Sequence, residues 1–180
     1  AHAGWLETHT LAGQGNLGYG AANNLAFKQA TEADYLLVLN PDVRLDIAAV
    51  ASAIAFLTLD SGCGMVTPVA NAPDGTALFL VKSYPRVWVL AVRGFAPLWL
   101  KDLLRRRLDA YERADRPHDS PLSDVTLASG CFLMIRRNVF DRAGGFDPAF
   151  FMYFEDFDLS YRISRFAAVA RVPECRIVHA

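Results

Sequence analysis

The chain has 180 residues, of which 53% are hydrophobic and 21% charged, and its net charge is −1. This composition excludes an intrinsically disordered chain, and the lack of a basic excess argues against nucleic-acid binding. The length suits one domain, so we take residues 1–180 as a single unit. No secretory signal opens the sequence, and no apolar run is long enough to span a bilayer. The cysteines have neither metal nor disulfide spacing, which indicates reduced thiols in the cytoplasm: Cys63, Cys131 and Cys175.

The first part of the chain predicts a helix, a buried strand and a second helix. A Gly-rich segment, GQGNLGYG at 13–20, precedes a run of good helix formers. Residues 34–40, DYLLVLN, are a continuous apolar run typical of a strand buried on both faces, and Pro41 ends it. Asp46 can cap the next helix, whose apolar residues recur at helical spacing: Ile47, Val50, Ile54 and Leu57.

Further strands follow. GMVTPVAN and TALFLVKSY predict two strands around a turn at 72–75. VTLASGCFLMIRR at 125–137 predicts a strand interrupted near Ser129 and Gly130, and a short helix then ends at Gly144 or Gly145 in a left-handed cap. Strand, helix and strand in this order predict an α/β domain with a largely parallel sheet.

Residues 86–113 differ in kind from the rest. They place Trp88 and Trp99 in apolar stretches ahead of a basic cluster at 105–107, and Pro97 divides them into two helices. A basic, tryptophan-bearing segment of this type can lie in a membrane interface. The equally weighted alternative is a pair of core helices with a solvated basic end. The polar stretch after it, 113–124, predicts a surface loop.

Carboxylates stand inside the most aromatic stretch of the chain, FFMYFEDFD at 150–158. Glu155 and Asp156 fall at the start of a predicted helix, where acids complement the helix dipole. A carboxylate at the lip of an apolar pocket can also gain the raised proton affinity that a general base requires. Asp158 and Arg162 are four apart and predict a surface ion pair.

Asp42 follows the carboxyl end of the predicted buried strand. Open α/β sheets bind ligands at the carboxyl ends of their strands. The Asp42 carboxylate could hold a divalent cation, and that cation a diphosphate. The alternative is that residues 40–42, Asn-Pro-Asp, form only a turn. His179 closes the chain, and its spacing alone favours an ordinary surface or core histidine.

Asn16 and Asn24 flank Gly18 and Gly20. Backbone amides at the start of the following helix could contact a phosphate or a base edge. The glycines match neither the P-loop nor the dinucleotide fingerprint, so the pattern by itself is weak evidence for a nucleotide site.

Three blocks in this order resemble the family 2 glycosyltransferases of the GT-A fold, and most closely the rhamnosyltransferase-like ones. They cover most of the chain, with 84–124 as the variable exception, and read NLGYGAANNLAFKQATEADYLLVLNPDVRLD, SGCFLMIRRNVFDRAGGFDPAFFMYFEDFDLSYRI and VPECRIVHA. The resemblance implies a Rossmann-like α/β fold, with a mostly parallel sheet flanked by helices.

The resemblance also implies roles for single residues. Asp156 matches the family's catalytic base in its ED motif, with Glu155 as the fallback candidate. Asp42 is the expected metal ligand of the Asp-x-Asp motif, whose first acid is replaced here by Asn40. His179 matches a histidine that completes the metal site in related enzymes.

Five further positions match the segments that bind the nucleotide sugar. Asn16, Gly18 and Asn24 fall in the segment that lines the nucleotide, together with Asn40 and Asp42. Ser129 and Gly130 fall beside the donor sugar and the acceptor.

The implied activity is inverting transfer of a sugar, with rhamnose favoured, from a nucleoside-diphosphate donor such as dTDP-rhamnose. The acceptor would be a polysaccharide or a lipid-linked glycan, and the cofactor Mg²⁺ or Mn²⁺. We expect a cytoplasmic protein, peripheral at the inner face of the membrane, with 84–124 as its acceptor-side, membrane-facing region. The family's opening strand, helix and nucleobase-reading strand are not in this sequence, so we expect upstream residues to belong to the domain.

Two alternatives come from other classes. One is a non-catalytic carbohydrate-binding or scaffold fragment that lacks its nucleotide half. The other is a calcium-binding module on the acids at 147–158, which is disfavoured because these acids lack the alternating spacing of calcium loops.

Overall fold

The computed structural model describes residues 8–84, 89, 92, 94–112 and 117–180, with only the backbone of 107, 109, 110 and 112. The described elements are numbered here in chain order. The helices are α1 (Tyr19–Gln29), α2 (Ile47–Leu59), α3 (Leu98–Leu103), α4 (Arg105–Glu112), α5 (Arg137–Ala143) and α6 (Glu155–Ser164). The strands are β1 (Tyr35–Leu39), β2 (Val43–Leu45), β3 (Cys63–Asn71), β4 (Ala77–Leu78), β5 (Val81–Lys82), β6 (Leu127–Ala128), β7 (Phe132–Arg136) and β8 (Ala168–His179).

The main sheet has the strand order β1-β7-β3-β8-β2, and β4 pairs with β3 outside this path. The predicted α/β architecture is confirmed, but the expectation of a mostly parallel sheet is wrong. Among the described strands of this sheet, only β3 and β8 are parallel neighbours. β7 lies between β1 and β3 and runs antiparallel to both, and β2 and β4 are also antiparallel to their partners. Phe132, the first residue of β7, pairs with Leu39, the last of β1. Since β7 starts at the carboxyl edge of β1, it has to run away from that edge.

Helices cover both faces of this sheet. On one face α2 packs against the strands through Ala49, Ala53 and Leu57. On the other face α5 and α6 contribute apolar side chains to a second cluster with the strands: Val139, Phe140, Leu159 and Ile163. β1 was predicted to be buried on both faces, but only its Leu36 and Val38 are buried, while Leu37 is half-buried and Leu39 is 41% exposed. The sheet is therefore held between two apolar layers.

Local signals in the sequence set several element ends. Asp46 caps α2 as predicted, since its Oδ1 accepts a hydrogen bond of 3.0 Å from the Ala48 amide. The turn before β4 closes where the Gly75 amide donates to the carbonyl of Ala72 at 2.9 Å. Gly144 follows α5 with φ 80°, the left-handed conformation predicted for its cap.

The segment after β5 contains short helices around Pro97. Pro97 caps α3, and Trp99 in that helix is 67% exposed instead of packed in a core. Trp88 lies outside the described residues, as does the side chain of Arg107. Among the described helices, none has the length and apolar character needed to cross a membrane.

Candidate active site

Asp156 lies in the first turn of α6 and is held by two backbone amides. Its Oδ2 accepts a hydrogen bond of 2.7 Å from Gly130, and its Oδ1 one of 2.8 Å from Phe157. Burial raises the pKa of the Asp156 carboxyl, and these amide hydrogen bonds oppose the rise because they favour the charged form. The carboxylate is therefore oriented by the backbone and has a strengthened affinity for a proton.

Gly130 is the other half of this arrangement. A methyl group there would lie 3.1 Å from Cβ of Asp156 and 3.3 Å from a ring carbon of Tyr19, so glycine suits the close approach. The Tyr19 hydroxyl donates a hydrogen bond of 2.7 Å to the Gly130 carbonyl. Tyr19 was not among the predicted site residues. The feature of the sequence that could have indicated it is an aromatic residue between Gly18 and Gly20 at the start of a helix.

A cavity of about 570 Å³ opens beside Asp156. It brings together the predicted Asn40, Ser129, Gly130, Glu155 and Asp156. The remaining lining residues are Tyr19, Cys131, Met152, Tyr153, Phe154 and Phe157. Five residues proposed from different parts of the sequence therefore share one cavity.

Glu155, the first residue of α6, is buried with only 5% of its surface exposed. Burial raises the pKa of its carboxyl, and the neighbouring Asp156 charge adds to the rise. Its Oε2 has no hydrogen-bond partner among the described residues. A buried oxygen without a partner is costly for the ionised form, in agreement with the raised pKa of Glu155.

The aromatic run ahead of α6 is a surface feature. Phe151, Met152, Tyr153 and Phe154 are all more than half exposed. Tyr153 and Phe154 have φ angles of 71° and 70°, a left-handed conformation that bulky side chains rarely adopt. Such strain persists where the surroundings enforce it and is concentrated at functional sites. Met152, Tyr153 and Phe154 line the mouth of the Asp156 cavity.

Asp42 and His179 meet at the same edge of the sheet. His179 pairs with Val43 across β2 and β8, which sets its Nε2 3.3 Å from Oδ1 of Asp42. Nε2 is buried yet makes no hydrogen bond within the described part of the chain. No group of three potential metal ligands occurs among the described residues. An orphaned imidazole nitrogen beside a carboxylate oxygen nevertheless fits two ligands of a divalent cation.

Electrostatics connect this pair to the cavity. Burial raises the pKa of Cys131 to about 11, and the charges of Asp156 and Asp42 add to that rise. Burial likewise raises the pKa of Tyr19, with further contributions from Asp156, Cys131, Glu155 and Asp42. Tyr19 and Cys131 thus lie within reach of both carboxylates. The Asn40 amide also donates to the Cys131 carbonyl at 3.0 Å.

The three predicted nucleotide-lining residues of the Gly-rich segment contact the backbone of their own chain. Asn16 Oδ1 accepts a hydrogen bond of 3.1 Å from the Gly18 amide. The side chain of Asn24 donates to the Phe146 carbonyl at 2.8 Å and accepts from the Phe146 amide at 2.9 Å. None of the three lines the Asp156 cavity, and their nucleotide role stays a prediction.

A second cavity, of about 730 Å³, lies between β2, β8 and the start of α2. The acid in its lining, Asp46, is engaged in capping α2. The predicted acids Glu155 and Asp156 line the smaller cavity.

Known proteins resemble this chain in sequence. The chain is 29% identical over 91% of its length to N-acetylglucosaminyl-diphospho-decaprenol L-rhamnosyltransferase of Mycobacterium tuberculosis. It is 28% identical over 83% of its length to the rhamnosyltransferase WbbL of Escherichia coli K12. It spans about half the length of these curated relatives, 56% and 55%.

The fold matches a glycosyltransferase structure. GalNAc-T7, crystallised with UDP, GalNAc and Mn²⁺, superposes with a TM-score of 0.64 at 17% identity over 94% of this chain and 31% of its own. No protein-family model matches the sequence. The chain is therefore similar in sequence to two rhamnosyltransferases and in fold to a glycosyltransferase, which agrees with the predicted resemblance to rhamnosyltransferase-like glycosyltransferases of the GT-A fold.

Proposed function

We propose that the chain carries the acceptor-activating half of an inverting rhamnosyltransferase. The observation that carries this proposal is the Asp156 carboxylate, which is half-buried at the wall of a cavity and oriented by the amide of Gly130. A base of raised proton affinity at the wall of an open cavity is what activation of an acceptor hydroxyl requires. The rhamnosyltransferase names of the relatives support the reaction class.

In this proposal Asp156 takes the proton from an acceptor hydroxyl while that oxygen attacks the anomeric carbon of the donor sugar. The new bond joins the acceptor oxygen to the sugar, and the bond from the sugar to the diphosphate breaks. Attack from the face opposite the leaving group inverts the anomeric configuration. The negative charge leaves on the nucleoside diphosphate, and the proton stays on Asp156.

Asp42 and His179 are the residues that would hold a divalent cation, Mg²⁺ or Mn²⁺. When bound, such an ion supplies positive charge that neutralises a leaving diphosphate. The Mn²⁺ in the GalNAc-T7 crystal supports this class of cofactor. Asn40, at the start of the same Asn-Pro-Asp segment, lines the cavity and would present its side-chain amide to the donor.

The relatives' names support a choice of donor and acceptor. The Mycobacterium tuberculosis relative is named for transfer of L-rhamnose to N-acetylglucosaminyl-diphospho-decaprenol. We favour dTDP-rhamnose as donor and a lipid-linked or polysaccharide glycan as acceptor for this chain. The exposed aromatic mouth at 151–154 suits such an acceptor, because aromatic faces cover apolar surface at low entropic cost.

We place an anionic membrane surface against the 84–124 region, which gives a cytoplasmic protein held at the inner face. Phe95, Leu98, Trp99 and Leu103 are exposed by 67% to 92% around α3. Lys101 lies on the same helix, and the exposed Arg106 follows in α4. Apolar side chains beside basic ones fit the boundary between headgroups and acyl chains.

Calorimetric titration of the full-length protein with dTDP-rhamnose and Mn²⁺, followed by detection of the rhamnosylated product, tests the proposed function. Cooperative binding of both and product formation support the enzyme. Binding of an acceptor glycan without donor, Mn²⁺ or product would instead support a non-catalytic carbohydrate-binding protein.

A further inference from the structure

Tyr19 joins three separate parts of the active site. It is the first residue of α1, and its amide donates a hydrogen bond of 3.2 Å to the carbonyl of Phe151, within the aromatic run. Its ring packs edge-on against Phe146 with the centroids 6.1 Å apart. Its hydroxyl, at the far end of the ring, donates to the Gly130 carbonyl at 2.7 Å.

Gly130 connects Tyr19 to Asp156 through two hydrogen bonds. Its carbonyl accepts from Tyr19 and its amide donates to Oδ2 of Asp156, each at 2.7 Å. Glycine has unusual backbone freedom, so the position of a glycine between two strands is poorly defined unless other groups fix it. The Tyr19 hydroxyl fixes the Gly130 carbonyl, and the Gly130 amide donates to Asp156.

We infer that Tyr19 is a positioning residue, whose hydroxyl fixes Gly130 so that the Gly130 amide aims the Asp156 carboxylate at the acceptor. The role of Asp156 as base rests on the function proposed above. Burial raises the pKa of Tyr19, so the hydroxyl keeps its proton and remains a donor across the working pH range. The ring alone would fill space, whereas the hydroxyl is the atom that contacts Gly130.

The consequence for the base has a definite sign. Hydrogen bonds from the Gly130 and Phe157 amides favour the charged Asp156, against burial. If Gly130 loses its anchor, its amide stabilises the carboxylate less, and the pKa of Asp156 rises. The other ionisable groups around the site are Glu155 on α6, Cys131 ahead of β7 and Asp42 after β1, and Tyr19→Phe changes none of them chemically.

The test is Tyr19→Phe in the full-length protein, with Tyr35→Phe as the matched control. The Tyr35 hydroxyl also makes a hydrogen bond, of 3.1 Å to Thr58. Tyr35 is the first residue of β1, at the end of the strand opposite Asn40, and it does not line the cavity. The first readout is the titration of the Asp156 carboxyl, followed by carbon NMR and assigned with Asp156→Asn. This readout needs no transfer activity.

We expect Tyr19→Phe to move the Asp156 titration upward by about one pH unit, the size of a weakened charge-assisted hydrogen bond. The acid limb of the kcat profile should move with it, and kcat should fall at least about tenfold with little change in donor KM. Tyr35→Phe should change neither. An Asp156 titration that is the same in both variants would overturn the positioning role.

Gly130→Ala keeps the Tyr19 hydroxyl but crowds Asp156 and the Tyr19 ring, and it provides the second variant should Tyr19→Phe not fold. It should shift the same titration in the same direction, and an unshifted titration would again overturn the inference. Failure of the proposed function would give a different result. The Asp156→Asn variant would retain transfer, while Tyr19→Phe would still shift the titration of its own Asp156.

Discussion

The amide of Gly130 and the carboxylate of Asp156 lie 2.7 Å apart, although 26 positions separate them along the chain. The contact joins the break between β6 and β7 to the first turn of α6. It places the carboxylate at the carboxyl edge of β1, where Asn40 and Asp42 also lie. The proposed base, the candidate metal ligands and the cavity thus lie at one edge of the sheet, the usual location of ligand sites in open α/β folds.

The raised pKa of Asp156 predicts a pH-dependent stability. Below about pH 4, the ordinary value for aspartate, the carboxyl is protonated in both states and its full contribution to stability is present. Above that value the unfolded chain loses the proton first, so the contribution is lost as pH rises through the folded-state pKa. The unfolding free energy of the parent minus that of Asp156→Asn should therefore fall as pH rises from 4. Guanidinium unfolding of both proteins at a series of pH values, with chelator present, measures this difference in free energy. A difference that does not change with pH would contradict the raised pKa.

The close approach of Gly18 to the aromatic run predicts a large stability effect. Gly18 has φ 80°, and a methyl group there would lie 2.2 Å from the Phe151 carbonyl oxygen. Gly75 has a similar φ of 86° but nothing within 4 Å, so it serves as the control for backbone strain alone. Gly18→Ala should be less stable than Gly75→Ala by about 2 kcal/mol, the cost of overpacking. Chemical denaturation measures the free energy of unfolding of both variants. Equal losses of stability would mean that the added methyl group at residue 18 does not clash with Phe151.

The proposed metal ligands predict a loss of Mn²⁺ binding. Asp42→Asn and His179→Ala should each weaken Mn²⁺ affinity at least about tenfold, because each removes one of two ligand atoms. Asp46→Asn is the control, since asparagine caps a helix as well as aspartate does. Calorimetry with Mn²⁺ alone gives the result without relying on activity. If all three variants bind Mn²⁺ like the parent, the ion is held elsewhere or not at all.

The exposed basic and apolar side chains around α3 predict salt-sensitive membrane binding. Each basic residue near an anionic surface contributes about 1 kcal/mol, roughly fivefold in binding, so a Lys101→Gln, Arg106→Gln double variant should float less with phosphatidylglycerol vesicles. A Lys28→Gln, Arg165→Gln double variant has the same net charge and alters exposed residues elsewhere. Trp99→Ala should also bind less while remaining folded, since Trp99 is 67% exposed.

High salt should reduce flotation of the parent, because it screens the attraction. Equal flotation of the two double variants at low salt would show that α3 and α4 do not face the membrane. Unfolding of Trp99→Ala would instead favour the core-helix interpretation of this segment.

Sequence reasoning succeeded where a local pattern carries the information. The apolar run of β1, the Asp46 cap and the left-handed Gly144 are each set by neighbours within a few positions. The start of α6 at Glu155 followed from the same kind of signal. Short-range chemistry therefore predicted most element boundaries around the site.

Long-range relations were beyond those patterns. Tyr19 and Gly130 are 111 positions apart, and nothing in either local sequence specifies the other as a partner. The direction of β7 depends on which edge of the sheet the chain returns to, which strand composition does not encode. The exposure of residues 151–154 around the cavity could not be read from the aromatic run itself, whose composition is equally typical of a core.

The most direct test of the central claim is rhamnosyl transfer by the full-length Asp156→Asn protein. Asp158→Asn is the matched control: it changes an acid on the same helix whose role is an ion pair of 2.7 Å with Arg162. With dTDP-rhamnose and a lipid-linked N-acetylglucosaminyl acceptor, Asp156→Asn should lose about 10²- to 10⁴-fold in kcat while binding the donor like the parent, because only base catalysis is removed. Asp158→Asn should transfer at close to the parent rate. Near-parent turnover by Asp156→Asn would contradict the assignment of Asp156 as the base.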